Sequence, residues 1–225
     1  FEQLITHCNQ VRMKIAAFNG KNLGHKKVHD KSVIKHLTKV IIILPLQQKC
    51  STPPSHLNIK NCISVVDDLV LIPVHTKPED SLKELDELHD VVEDIRKKWK
   101  NDNIMLLGDF NADGRYLSKK KKEKIRICSS SYNWLIDDNV DTTKCVSSLS
   151  NRIVVYGQTM LNAIVPNSAK SFNFQQEFDL TDEEALGISD HYPVEVELKT
   201  KDDQKRKQGQ ASNMPTKRGR RAVKL

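Results

Sequence analysis

Long apolar runs are missing from this sequence. The longest aliphatic stretch is Val40 to Leu44, far short of the roughly 20 residues a membrane span needs. Paired-cysteine spacing is missing too. The five cysteines, Cys8, Cys50, Cys62, Cys128 and Cys145, form no CxxC, which argues against a zinc site. An odd count leaves at least one thiol unpaired in an oxidising compartment, and the connectivity stays open. The plainer reading is scattered thiols behaving as small hydrophobes. No internal repeat is present. Residues 1–12 show neither the basic leader nor the apolar stretch of a secretory signal, and an opening on Phe1 rather than Met reads as an incomplete start.

What is present suits a folded domain. Hydrophobic residues make up 38% and charged residues 29% of 225, enough for one sizeable core and too apolar for a disordered chain. The net charge of +7 is unevenly placed. From Thr200 onward there are nine Lys/Arg and two Asp/Glu, so the first 199 residues balance at 27 of each sign. The high pI therefore describes a basic appendage, not the body. The expected organisation is one domain over 1–199, shortened around 48–68, followed by a solvated basic tail over 200–225.

Local patterns outline the elements. Lys14–Phe18 reads as a short strand. Val33, Ile34 and Leu37 have helical spacing within 32–38. Val40–Leu44 reads as a buried strand stopped by Pro45. Residues 46–62, polar and carrying Pro53-Pro54, read as a loop. Leu69–His75 is the next strand. Ser81-x-x-Glu84 has capping-box spacing, and Leu82, Leu85, Leu88, Val92, Ile95 and Trp99 form one apolar stripe of a helix. Its first turns are acidic and Arg96-Lys97-Lys98 lie in the last, as the helix dipole favours. Ile104–Leu107 follows as a strand ending at Gly108-Asp109. Strand, helix and strand in succession imply a mixed sheet with helical cover. A basic loop or short helix over 113–126, a strand at Arg152–Tyr156, and a capped short helix at Thr181-x-x-Glu184 come next. Val194, Val196 and Leu198, alternating with Glu195 and Glu197, mark a strand with one wet face.

Three polar clusters sit at strand ends: Val74-His75-Thr76, Gly108-Asp109-Phe110-Asn111 and Ser189-Asp190-His191. Layered α/β proteins assemble sites at such ends. Two histidines, two acids and an amide suit metal-assisted phosphodiester hydrolysis. One imidazole takes a proton from water, the other gives one to the leaving oxygen, and carboxylates hold a hard cation. Each signal alone is weak. A lone histidine is more often a hydrogen-bonded structural residue, Asp109 after glycine can simply close a turn, and Asp190-His191 can be a surface pair.

Together the motifs resemble a family. Gly108–Ala112 (GDFNA), Pro73–Pro78 (PVHTKP) and Ser189–Leu198 (SDHYPVEVEL) resemble signature stretches of the DNase I family. Lys14–Asn19, Trp134-Leu135-Ile136, Asp141-Thr142-Thr143 and Arg152–Val155 match as well, and the likeness is nearly continuous from Val65 to Leu198. Within the family the basic tail resembles that of the gamma branch. The resemblance implies an α/β (α+β) fold, a four-layered sandwich of two packed mixed sheets flanked by helices. It implies a monomeric endonuclease that cleaves double-stranded DNA, or chromatin, with Mg²⁺ and Ca²⁺ and no membrane partner. By the same resemblance His75 would be the general acid and His191 the general base. Asp109 and Asn111 would lie at the metal and scissile phosphate, Asp190 would be a metal ligand, and Asn19 a metal or phosphate contact. Arg152, Lys119 and Lys120 would bind substrate. A secretory destination is implied by the family, and a nuclear address by the tail's basic runs.

The chain departs from the family pattern at several points. Gln47 stands where a metal-binding Glu is expected, and a neutral amide brings no charge to the cation. Residues 48–68 are too few for the strands the family places there, so His75 lacks its expected Glu partner. Asn151 replaces the Asp that supports the base histidine. Gly114 and Ser148 replace a cysteine pair. These changes predict reduced or absent cleavage. The alternatives are a catalytically silent DNase-like protein that holds nucleic acid through Lys119–Lys124 and the tail, and a truncated product with unpaired strand edges.

Overall fold

The computed structural model describes residues 2–9, 12–21, 29–30, 57–60, 64–112, 119–136, 140, 142–143, 151–203 and 205; for 2–9, 12, 57–60 and 119 it describes the backbone alone. The helix expected over 32–38 and the strand Val40–Leu44 lie outside these residues, as does the chain beyond 205.

Two sheets form the body. One runs β1 (Glu2–Asn9), β2 (Arg12–Asn19), β9 (Val194–Leu198), β8 (Lys170–Ser171), and it is antiparallel throughout. The other runs β3 (Leu57–Lys60), β4 (Asp68–His75), β5 (Ile104–Asp109), β7 (Asn151–Tyr156), β6 (Tyr132–Trp134). There β4 and β5 are parallel, joined through helix α1 (Ser81–Trp99), and the other pairs are antiparallel. Among the described residues the other named helices are short: α2 (Lys119–Lys122), α3 (Gly157–Ala163), α4 (Phe174–Glu177) and α5 (Asp182–Ile188).

Period-two alternation sorts the strand residues into layers. Ile15, Ala17, Val194 and Val196 meet Leu69, Leu71, Met105, Leu107, Ile153 and Val155 between the sheets. The opposite face of the mixed sheet, with Val70, Ile72, Leu106 and Val154, packs on Leu85, Val92 and Ile95 of α1. The opposite face of the antiparallel sheet, with Ala16 and Phe18, packs on Phe174, Ala185 and Ile188 of α4 and α5. Helix, sheet, sheet, helix is the four-layered arrangement the family resemblance implied. β4 and β5 are covered on both faces, which explains their unbroken apolar runs.

Several local expectations are corrected. Residues 57–60, read as loop, are a strand on the edge of β4. Edge pairing uses backbone groups, so the polar character of 46–62 did not forbid it, and Leu57 and Ile59 alternate with Asn58 and Lys60. No element was assigned to 1–12, yet β1 pairs with β2 over its full length. The capping box at Ser81–Glu84 is not made. The helix begins at Ser81 itself, so Ser81 lies inside the first turn, where its buried hydroxyl donates to Pro78 O at 3.1 Å. Glu84 instead accepts from Lys77 N at 3.0 Å. Leu82 and Trp99, at the ends of the stripe, are 36% and 40% exposed. The outer face of β9 is less wet than its alternation suggests. Glu195 is buried under Lys14 and Lys170, at 3.1 and 3.4 Å. Finally, the stretch from Lys199 is not wholly solvated. Val65 N donates to Lys199 O at 3.0 Å, and Thr200 is buried against Ser64.

The box at Thr181 is made in full. Thr181 Oγ1 accepts from Glu184 N at 3.3 Å, and Thr181 N donates to Glu184 Oε2 at 2.9 Å. It fixes the start of α5, the helix that delivers Ser189–His191 to the rim. Thr181→Ala should cost about 1 kcal/mol of stability, read as a lowered urea midpoint at unchanged denaturant slope.

Candidate active site

The site is assembled at one rim of the sandwich. β4 and β5 end there and β7 begins there, with His75 in register with Asp109, and Asp109 with Asn151. By parity all three belong to the inter-sheet set of their strands, since Leu71, Leu107 and Ile153 lie there. Asn19, at the end of β2, shares the parity of Ile15 and Ala17. The two sheets meet where Asn19 Nδ2 donates to Asp109 Oδ2 at 3.0 Å.

Backbone chemistry explains the Gly-Asp-Phe-Asn order. Gly108 has φ +139°, which only glycine adopts without strain. Asn111 has φ +43°, a left-handed conformation that asparagine tolerates. In that conformation its N–H donates to Asp109 Oδ1 at 3.1 Å and its Nδ2 to Thr76 O at 2.7 Å. Thr76 Oγ1 donates to Phe110 O at 2.7 Å. The loops after β4 and β5 are thereby locked together. Asp109 is 2% exposed, so its orientation is set by these donors and not by water.

His191 is held by its neighbours. Ser189 Oγ donates to Asn19 O at 2.6 Å and accepts from His191 N at 3.1 Å. His191 pairs with Thr143 as an isolated bridge. Its Nδ1 lies 3.3 Å from Asn151 Oδ1 and 3.7 Å from Asp109 Oδ2. Asn151 N donates to Thr142 Oγ1 at 3.1 Å, and Asn151 Nδ2 donates to Tyr192 O at 2.8 Å. That second bond leaves the amide oxygen as the group facing His191. The Asn151 amide oxygen accepts from Nδ1 when the ring proton sits there, and in that tautomer Nε2 carries the lone pair.

Asp190 lies beside this ring, its Oδ1 3.9 Å from His191 Nε2. Its Oδ2 accepts from Lys21 Nζ at 2.6 Å. Burial pushes its carboxyl up, but the Lys21 hydrogen bond and the nearby His191 outweigh that and hold it below the ordinary value. Asp190 Oδ1 is buried without a hydrogen-bond partner among the described residues. Among the described residues no three His, Cys, Asp or Glu side chains converge on one point. Mg²⁺ does not require that, because one or two carboxylates with water and substrate phosphate commonly complete its shell. An orphaned carboxylate oxygen, a second buried carboxylate and an amide are hard oxygen donors that fit such a cation.

The structure brings together Asn19, Asp109, Asn111, Asn151, Asp190 and His191. His75 is on the same rim, two strand spacings or roughly 10 Å from Asn151 by strand geometry. It is exposed and has no carboxylate partner among the described residues. Arg152 departs from its expected substrate-binding place. It is fully buried, with Nη1 donating to Asn151 O at 2.8 Å. Its parity is that of Val154, which puts it on the helix-covered face, away from the inter-sheet rim. Lys120 is exposed in α2; the side chain of Lys119 and the whole of Gln47, Gly114 and Ser148 lie outside the described residues. Lys21 was not singled out from sequence. Nothing in its polar neighbourhood signalled a site, although it follows Asn19 by two residues and its N–H donates to Asn19 Oδ1 at 3.1 Å.

Deoxyribonuclease gamma of Mus musculus is 46% identical over 140 residues, which is 61% of this chain and 45% of that protein. The chain is similar to deoxyribonuclease gamma. The Homo sapiens deoxyribonuclease gamma is 44% identical, over 61% of this chain and 46% of its own length. Deoxyribonuclease-1 of Oryctolagus cuniculus is 41% identical over 66% of this chain and 53% of its own. The chain thus spans about half the length of the curated deoxyribonucleases it matches. No protein-family model matches it. The crystal structure of a humanized D. rerio TDP2 overlaps 59% of this chain and 56% of its own, at a TM-score of 0.40 and 13% identity.

Proposed function

We propose that this rim hydrolyses phosphodiester bonds of double-stranded DNA as a divalent-cation-dependent endonuclease. One observation carries the reading. The His191 ring is fixed through Nδ1 between Asn151 and Asp109, with Nε2 directed toward Asp190, in a chain similar to deoxyribonucleases. With its proton on Nδ1, His191 can take a proton from an attacking water at Nε2. His75, exposed on the adjoining strand end, can give a proton to the leaving oxygen. Asn111 fixes the loop between them. Lys120, Lys121 and Lys124 are exposed nearby in sequence and add salt-dependent phosphate attraction. Mg²⁺ or Ca²⁺, held by Asp190 and Asp109 with Asn19, would supply charge neutralisation at the phosphate.

The neutral Asn151 supports a second reading, a silent nucleic-acid binder. An amide orients the ring but does not stabilise the imidazolium that forms when Nε2 takes a proton. In the serine-protease triad the comparable Asp→Asn change costs about 10⁴ in rate.

Supercoiled-plasmid nicking with Mg²⁺ and Ca²⁺ separates the two. Expected are nicking that stops with a chelator, a loss of about 10²–10⁴-fold in His191→Ala, and a gain of about tenfold or more in Asn151→Asp. Equal nicking by His191→Ala and the parent would end the enzymatic reading. Salt-sensitive retention of uncut DNA, persisting in Asn151→Asp, would establish the binder.

A further inference from the structure

We infer that Lys21 is a built-in competitor for the divalent cation at Asp190, its ammonium holding the carboxylate until a cation displaces it. The inference rests on the cation-dependent reading of the site. Lys21 Nζ is 2.6 Å from Asp190 Oδ2, a distance at which the ammonium takes one of the two oxygens a cation would use. The other oxygen, Oδ1, is buried with no hydrogen-bond partner among the described residues. That carboxylate is therefore only half satisfied by the lysine, and a buried oxygen without a partner is costly.

The turn that aims Lys21 belongs to the same assembly. Asn19 accepts from Lys21 N through Oδ1 at 3.1 Å while its Nδ2 holds Asp109 Oδ2 at 3.0 Å. Lys21 has φ +34°, a left-handed backbone that this side-chain-to-backbone bond supports. One asparagine thus orients both a candidate cation ligand and the competing ammonium. The Lys21 side chain is 49% exposed and that of Asp190 26%. The ammonium sits on a flexible four-carbon stem, so it can leave for solvent without moving the sheet. A cation arriving at Asp190 would meet a positive charge, and departure of Lys21 removes that repulsion.

The test measures Mn²⁺ binding to the full chain at low ionic strength, from the electron paramagnetic resonance signal of the free ion. Lys21→Met keeps the apolar stem and removes the charge; it should bind Mn²⁺ about two- to five-fold more tightly than the parent, the range an exposed ion pair contributes. Lys21→Arg should keep parental affinity. In an Asp190→Asn background, Lys21→Met should have no further effect, since the coupled partner is gone. Equal or weaker Mn²⁺ binding by Lys21→Met, with the parent binding normally, would overturn the role of Lys21 alone. No Mn²⁺ binding by any of these proteins would overturn the cation reading of the site together with it.

Discussion

Asp109→Asn should lower cation-dependent plasmid nicking by about 10- to 100-fold, the scale on which groups that hold and orient a cation site act. Shape is conserved in this change, so the loss would come from chemistry. Asp109 Oδ1 accepts from Asn111 N at 3.1 Å, Oδ2 accepts from Asn19 Nδ2 at 3.0 Å, and Oδ2 lies 3.7 Å from His191 Nδ1. An amide has one acceptor oxygen. Its NH₂ would face one of those N–H donors, leaving a buried group unpaired at a cost of about 1–3 kcal/mol. The negative charge beside the His191 ring would vanish as well. Urea unfolding and nicking measured on the same protein separate the two losses. Parental nicking at reduced stability would leave Asp109 a purely structural residue.

Phe110→Ala should destabilise the fold by about 3–5 kcal/mol, as truncation of a fully buried aromatic does. Phe110 is 0% exposed and meets Trp134 edge-on, with ring centroids 5.5 Å apart. It packs beneath α1 with Leu106 and Val154, while Asp109, one residue earlier, faces between the sheets. The ring is thus the anchor that decides which way the carboxylate points. Chemical denaturation reads the effect as a lowered midpoint. A loss below about 0.5 kcal/mol, the level of an ordinary surface change, would show that the cluster under α1 does not depend on this ring.

Much of the framework was legible because it depends on local pattern. The apolar runs of β4 and β5, the stripe of α1 and the box at Thr181 each follow from side-chain periodicity or from a capping residue. The clusters at His75, Asp109 and Asp190-His191 were legible as strand-end chemistry. Three kinds of feature were not. Edge strands such as β3 are held by backbone bonds that carry no composition signal. Arg152 was expected at the substrate from the family resemblance, but alternation along β7 places it on the covered face with Val154; parity, applied to that one residue, would have found this. Lys21 became visible only when Asp190, 169 positions away, was brought to it.

The sequence by itself determined the layered α/β character, the neutral body with its basic appendage, and the residue types available for phosphodiester chemistry, because hydrophobic period and charge are local properties. Only the tertiary structure decided that Asn19, Asp109, Asn151, Asp190 and His191 share one rim, that the Asn151 oxygen faces Nδ1, and that Lys21 holds Asp190. Those facts depend on strand register and on the parity of side chains across two sheets. A one-residue slip would turn Asn19, Asp109 and Asn151 to the opposite face, leaving the same residues without a site.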